Sequence, residues 1–100
     1  ERMAALLSEN PAKLYGMYPE KGILQEGSDA DIVLLDPNKK KTIRKEDQVS
    51  RSDYAPLEGL EIQGCIEEVF LRGKLVAKGG KVLLENQGKY LKRKKFQPVV

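Results

Sequence analysis

Apolar positions in the first sixteen residues recur at helical spacing. Met3, Leu6 and Leu7 fall at i, i+3 and i+4, which places them on one helix face. Asn10 before Pro11 predicts a second helix start, because an Asn oxygen caps orphan amides and Pro lacks only an N–H that the first helical position does not use. Ala12 to Tyr15 add one turn, and Gly16 supplies a left-handed stop. Residues 1–16 therefore read as two short helical pieces.

From Met17 onward the pattern changes to short apolar runs between turn residues. Ile23 and Leu24 suggest a brief extended piece, and Glu26 to Asp31 form a polar turn around Gly27. The continuous run Ile32-Val33-Leu34-Leu35 predicts a strand covered on both faces, ended by Asp36-Pro37-Asn38. Lys41 to Arg44 read as a short edge strand, since Lys discourages edge-to-edge association. Residues 46–60 carry loop chemistry, with Tyr54 and Leu57 as the bulky apolar anchors. A meander follows, with strands over Glu61–Cys65, Glu67–Leu71, Lys74–Ala77 and Lys81–Leu84. Its turns lie at Arg72-Gly73 and Gly79-Gly80. Imperfect alternation between Ile62 and Val69 points to a bulge near Gly64. The segment 87–100 is polar and basic and reads as a subunit-contact or disordered tail.

The pattern as a whole predicts a mainly β chain with a short helical start. One hundred residues, 40% of them hydrophobic, make one small domain and exclude a complete eight-fold barrel, which needs roughly 250 residues. No apolar run approaches the length of about 18 residues that a membrane helix needs, and no signal peptide is evident. A chain opening on Glu1 and running at once into an apolar helical pattern reads as a fragment. Eighteen basic against fifteen acidic side chains leave a net charge of +3. The excess is concentrated at Lys39-Lys40-Lys41 with Arg44-Lys45, and at Lys89 with Lys92 to Lys95. The lone Cys65 suits a reducing, cytoplasmic setting.

The absence of histidine narrows the chemistry most. Imidazole is the commonest zinc ligand and the usual general base near neutral pH. Without it the chain offers no ordinary zinc site, no Ser-His-Asp triad and no Cys-His pair. The remaining candidates each have a plainer reading. Asn10 could be a substrate-binding amide, but Pro11 beside it explains it as a cap. Asp29 and Asp31, two apart, would share one side of an extended segment, yet they also suit a turn leading into a strand. Neither the oxygen-ligand spacing of a calcium loop nor a phosphate-binding glycine motif occurs. Glu67 and Glu68 point to opposite faces of a strand. Cys65 has no adjoining cation to activate it. The cation and aromatic mixture from Lys89 to Phe96 could track a nucleic-acid backbone, but no recognised nucleic-acid motif supports it and the net charge is small.

The succession of segments is more specific than any one of them. Ser8-Glu9-Asn10-Pro11-Ala12-Lys13-Leu14-Tyr15-Gly16, then Lys21-Gly22-Ile23, then Gly27-Ser28-Asp29-Ala30-Asp31-Ile32-Val33-Leu34-Leu35-Asp36-Pro37 resembles the C-terminal region of the amidohydrolase superfamily. Asp53-Tyr54-Ala55-Pro56-Leu57-Glu58-Gly59, Val69 to Val76 and Gly88-Lys89-Tyr90-Leu91-Lys92-Arg93 resemble its dihydropyrimidinase and hydantoinase branch. Dihydroorotases and allantoinases share the first half but fit the tail less well. The resemblance implies that residues 1–16 close a barrel, that 17–86 are the C-terminal part of a composite β-sandwich, and that 87–100 form a basic tail. It also implies a parent enzyme that hydrolyses the ring amide of dihydropyrimidines or hydantoins. That parent would use a two-metal centre, usually zinc, held by histidines, a carboxylated lysine and an aspartate.

All those ligands belong upstream of this chain, and Asn10, Asp29, Asp31 and Tyr54 match none of them. The expectation is no catalytic, cofactor-binding or metal-binding residue here. The expected partners are the missing N-terminal and barrel portion and further copies in a homo-oligomer, with no membrane or nucleic-acid role. The alternatives are an interaction module from a catalytically silent dihydropyrimidinase-like scaffold protein and a basic nucleic-acid-binding piece.

Overall fold

The structure is a computed structural model that describes residues 1–99. Its elements are α1 (Arg2–Ala4), a π-helical segment (Ala5–Glu9), α2 (Asn10–Leu14), β1 (Ile32–Thr42), a 3-10 turn (Lys45–Asp47), β2 (Glu61–Leu71), β3 (Lys74–Lys78) and β4 (Lys81–Val82). The chain is mainly β, with one four-stranded antiparallel sheet in the order β1-β2-β3-β4 and one helical stretch at the start. It divides into two compact units. The first comprises Glu1–Ile32, Phe70–Lys74 and the chain from Asn86 onward, and the second comprises Val33–Val69 and Leu75–Glu85.

In the first unit the helical start is continuous, so Asn10 is not a cap. Its backbone is helical at φ −62° and ψ −47°, and its N–H donates to the Ala5 carbonyl five residues back. Pro11 is the physical reason for the wide turn. Its ring lacks a donor and would crowd the carbonyl four residues before it, so the backbone in front opens to the wider spacing. Glu9 and Lys13 brace this stretch with an ion pair at 2.5 Å, and the Lys13 ammonium lies 4.9 Å from the centre of the Tyr18 ring.

The helix stops where Gly16 was expected to stop it. Gly16 has φ +71°, its N–H donates to Lys13 O, and the Met17 N–H donates to Ala12 O at 2.8 Å. This pair of bonds is the Schellman closure, which satisfies carbonyls that a helix end leaves unpaired. Ala12 is the one apolar side chain sealed from solvent among the described residues, at 2% exposure. Gly22 covers it: a Cβ at Gly22 would stand 2.5 Å from the Ala12 Cβ and 2.9 Å from Ser8 O, and its φ is +88°. Ile23 and Leu24 form no strand.

In the second unit β1 continues through Pro37 to Thr42, where two segments were expected. The sheet order explains this. β1 is an edge strand, and a proline there removes no donor that an inner strand would need. Asp36 accepts the Asn38 N–H beside it at 2.9 Å. Reciprocal bonds follow, from Ile43 N–H to Leu60 O at 2.9 Å and from Gly59 N–H to Ile43 O at 2.8 Å.

β2 is likewise one strand, not two. Its alternation shifts at Gly64 and Cys65, which are both half-buried, and Gly64 has φ +99°, the irregularity expected there. β3 and β4 pair antiparallel with Ala77 opposite Val82 and Lys78 opposite Lys81, and β4 ends two residues earlier than expected.

The burial expected for Ile32 to Leu35 is not found. Val33, Leu34 and Leu35 are all exposed, Val33 by 54%. The run lies in the edge strand of the sheet. Tyr54 and Leu57 are exposed as well, at 66% and 58%.

Candidate functional site

A cluster of hydrogen bonds and ion pairs is built on the two aspartates singled out by their spacing. It lies in the first unit, where the polar turn before β1 faces the Arg72-Gly73 connection between β2 and β3. Local bonds shape the turn: Ser28 N–H donates to Gln25 O, Asp29 N–H to Glu20 O, and the Ser28 hydroxyl to Pro19 O at 2.6 Å. Gly73 N–H donates to Ala30 O at 2.9 Å and ties the connection to the turn.

The structure brings Asp29 and Asp31 together on one cation. Lys21 Nζ lies 2.8 Å from Asp29 Oδ2 and 2.5 Å from Asp31 Oδ2. The other Asp31 oxygen accepts the Arg72 N–H at 2.9 Å. Arg72 has φ +46°, left-handed backbone that a non-glycine residue adopts reluctantly. A carboxylate holding its amide supports that conformation, and the Arg72 guanidinium donates to the Gln87 carbonyl. Lys21 and Arg72 were not read as site residues. Two carboxylates two apart ask for a cation, but nothing in the spacing selects Lys21 from eighteen basic side chains.

Partial burial disfavours both charged forms, and the cluster overrides it. At Asp31, desolvation is opposed by the Lys21 hydrogen bond, the Arg72 amide and the two positive charges, which together hold its pKa below the ordinary carboxylate value. At Lys21, desolvation is opposed by the hydrogen bonds and charges of Asp29 and Asp31, which raise its pKa above the ordinary ammonium value. A general acid or base would need displacement toward neutrality. Both groups are displaced away from it. The arrangement is therefore a charged latch between a turn and a hairpin.

The other candidates stand apart. Asn10 lies within the helix, and Tyr54 lies on an exposed loop. Cys65 is a half-buried free thiol whose Sγ approaches the Lys39 carbonyl at 3.7 Å. Glu67 pairs with Lys39 at 2.6 Å and Glu68 with Lys78 at 3.3 Å, as surface pairs of a strand do. The resemblance places the ligands of the parent's zinc centre upstream of this chain. Among the described residues no three His, Cys, Asp or Glu side chains come together, and the paired aspartates are already occupied by Lys21. Among the same residues no helix is long and apolar enough to cross a membrane.

A mainly β chain whose aspartate turn is latched to its own hairpin can be compared with known proteins on both sequence and fold. Over residues 1–76 it matches the Amidohydrolase family, and the chain belongs to that family. It is 38% identical, over an alignment of 101 positions, to a D-phenylhydantoinase of Escherichia coli O127:H6, covering all of this chain and 22% of that protein. A D-hydantoinase of Ralstonia pickettii is 41% identical over 93 positions, covering 92% of this chain and 20% of the relative. A solved D-hydantoinase structure superposes with a TM-score of 0.90 at 39% identity, over 97% of this chain and 21% of its own. The chain thus spans about a fifth of the length of the relatives it matches.

Proposed function

We propose that this chain is the C-terminal, non-catalytic portion of a metal-dependent hydrolase that opens the ring of dihydropyrimidines or hydantoins. Its role is structural. It completes a β-sandwich with strands supplied by the remainder of the parent and takes part in a homo-oligomer, in the cytoplasm, where the free thiol of Cys65 suits reducing conditions. The observation that carries this reading is the surface it leaves open. The chain exposes 8494 Å², where a folded monomer of its mass exposes about 5,700 Å². Counted on both partners, an excess of this size reaches that of a large obligate interface. It includes Val33, Leu34 and Leu35 of β1, Ile66 of β2 and Val82 of β4.

The test is a graft. Replacing the last fifth of a D-hydantoinase with this chain should give a soluble oligomer that retains hydantoin ring opening. The chain alone, supplied with zinc and dihydrouracil, should show no turnover and should self-associate in sedimentation. Ring opening by the isolated chain with stoichiometric zinc would overturn the proposal. So would a strictly monomeric, cooperative fold.

A further inference from the structure

Beyond β4 the described residues form no helix or strand, yet some of them are tied to one place in the first unit. The Lys94 N–H donates to Gly16 O at 2.7 Å and the Gln97 N–H to Lys13 O at 2.8 Å. The Gln97 side-chain amide donates to Tyr18 O at 3.1 Å. All three acceptors belong to the carboxyl end of the helix and the turn after it. Such an end carries partial negative charge, and the docked segment is the cationic run Arg93-Lys94-Lys95.

Gly16 is the seat. It is buried, and a side chain added there would overlap the Lys94 carbonyl. Apolar burial contributes little to the docking, since Phe96, the one large apolar side chain of residues 93–97, is 68% exposed. Two backbone hydrogen bonds and the Gln97 side-chain amide hold the segment.

We infer that residues 93–97 are a detachable strap. Seated, it splints the helix end and the turn that follows. Released, it frees that turn while the helix and its Schellman closure remain. The inference is independent of the proposed function. A segment held without apolar burial opens locally, below the cost of global unfolding, and opens more readily as salt screens the charge.

Amide exchange by NMR on the full chain tests this. The Lys94 and Gln97 amides should exchange about tenfold or more slowly than those of Lys92, Lys95 and Phe96, and the difference should shrink with added salt. Gly16→Asn separates shape from conformation, because Asn tolerates left-handed backbone yet adds a Cβ. In that variant Met17 should stay protected on Ala12 O while Lys94 and Gln97 lose protection together. Equal exchange across residues 92–97 in the natural chain would overturn the strap, as would unchanged protection in Gly16→Asn. If that variant also loosens the helix end, Gln97→Pro decides, since it deletes both donors that Gln97 gives the strap and leaves the helix intact. Loss of Lys94 protection would then support the strap, and its retention would refute it.

Discussion

Replacing Asp31 by alanine should destabilise the chain by about 2 kcal/mol, and the composition of that figure is itself testable. One Asp31 oxygen accepts the Arg72 N–H at 2.9 Å in a strained turn. A hydrogen bond to a charged acceptor contributes about 1.5–3 kcal/mol. The Asp31 side chain is 33% exposed, so water can partly substitute and the lower end applies. The other oxygen holds Lys21 at 2.5 Å. Lys21 keeps Asp29 as a partner, so losing this pair costs only about 0.5 kcal/mol. Asn at position 31 retains an acceptor for the Arg72 amide and loses only the ion pair. Asp31→Asn should therefore cost about 0.5–1 kcal/mol, at most half the effect of Asp31→Ala. Urea unfolding followed by circular dichroism would resolve the two, and a loss of 2 kcal/mol corresponds to a melting shift of about 8–16 °C for a domain of this size. Equal destabilisation by Asn and Ala would refute the reasoning, because the Arg72 amide would then contribute nothing.

The same cluster gives stability a pH window. The depressed pKa of Asp31 means that its contribution is present above the unfolded value of about 3.9 and is lost as pH falls through the lower folded value. The raised pKa of Lys21 means that its contribution is present below about 10.4 and is lost as pH rises through the higher folded value. Urea midpoints across the pH range should decline at both ends, and Asp31→Asn should flatten the acid limb. Gly22→Ala should cost about 3 kcal/mol, because it joins a steric overlap with Ala12 to an unfavourable φ. Gly27→Ala, with φ +86° and open space around it, should cost only about 1 kcal/mol in the same urea assay. Lys39→Ala removes a surface ion pair to Glu67 and should leave the urea midpoint unchanged.

The parts of the fold legible in the sequence are those governed by neighbours along the chain. Gly16 ends a helix because few residues adopt its conformation, and Arg72-Gly73 turns a hairpin for the same local reason. Asp29 and Asp31 were legible as a turn, but Lys21 and Arg72 reach them across ten and forty-one residues, a distance that periodicity does not report. Pro37 looked like the end of a strand because only the sheet order shows that β1 has a free edge. The open face of Ile32 to Leu35 was misread for a related cause. An apolar run records what a strand is able to bury, and what covers it depends on segments remote in sequence.

The wide helical turn before Pro11 has a further geometric effect. Successive residues of an α-helix are set about 100° apart, so one additional residue in a turn rotates everything downstream by about that angle. At about 100° per residue a regular helix would set Ala12 almost opposite the face of Met3, Leu6 and Leu7, and the wide turn swings it to about a quarter turn from that face, where it meets Gly22. One rod thus presents two apolar bearings that lie closer together than a regular helix would set them. Deleting a single residue between Ala5 and Glu9 would change their relative bearing, while pressing the Pro11 ring against the carbonyl it now avoids.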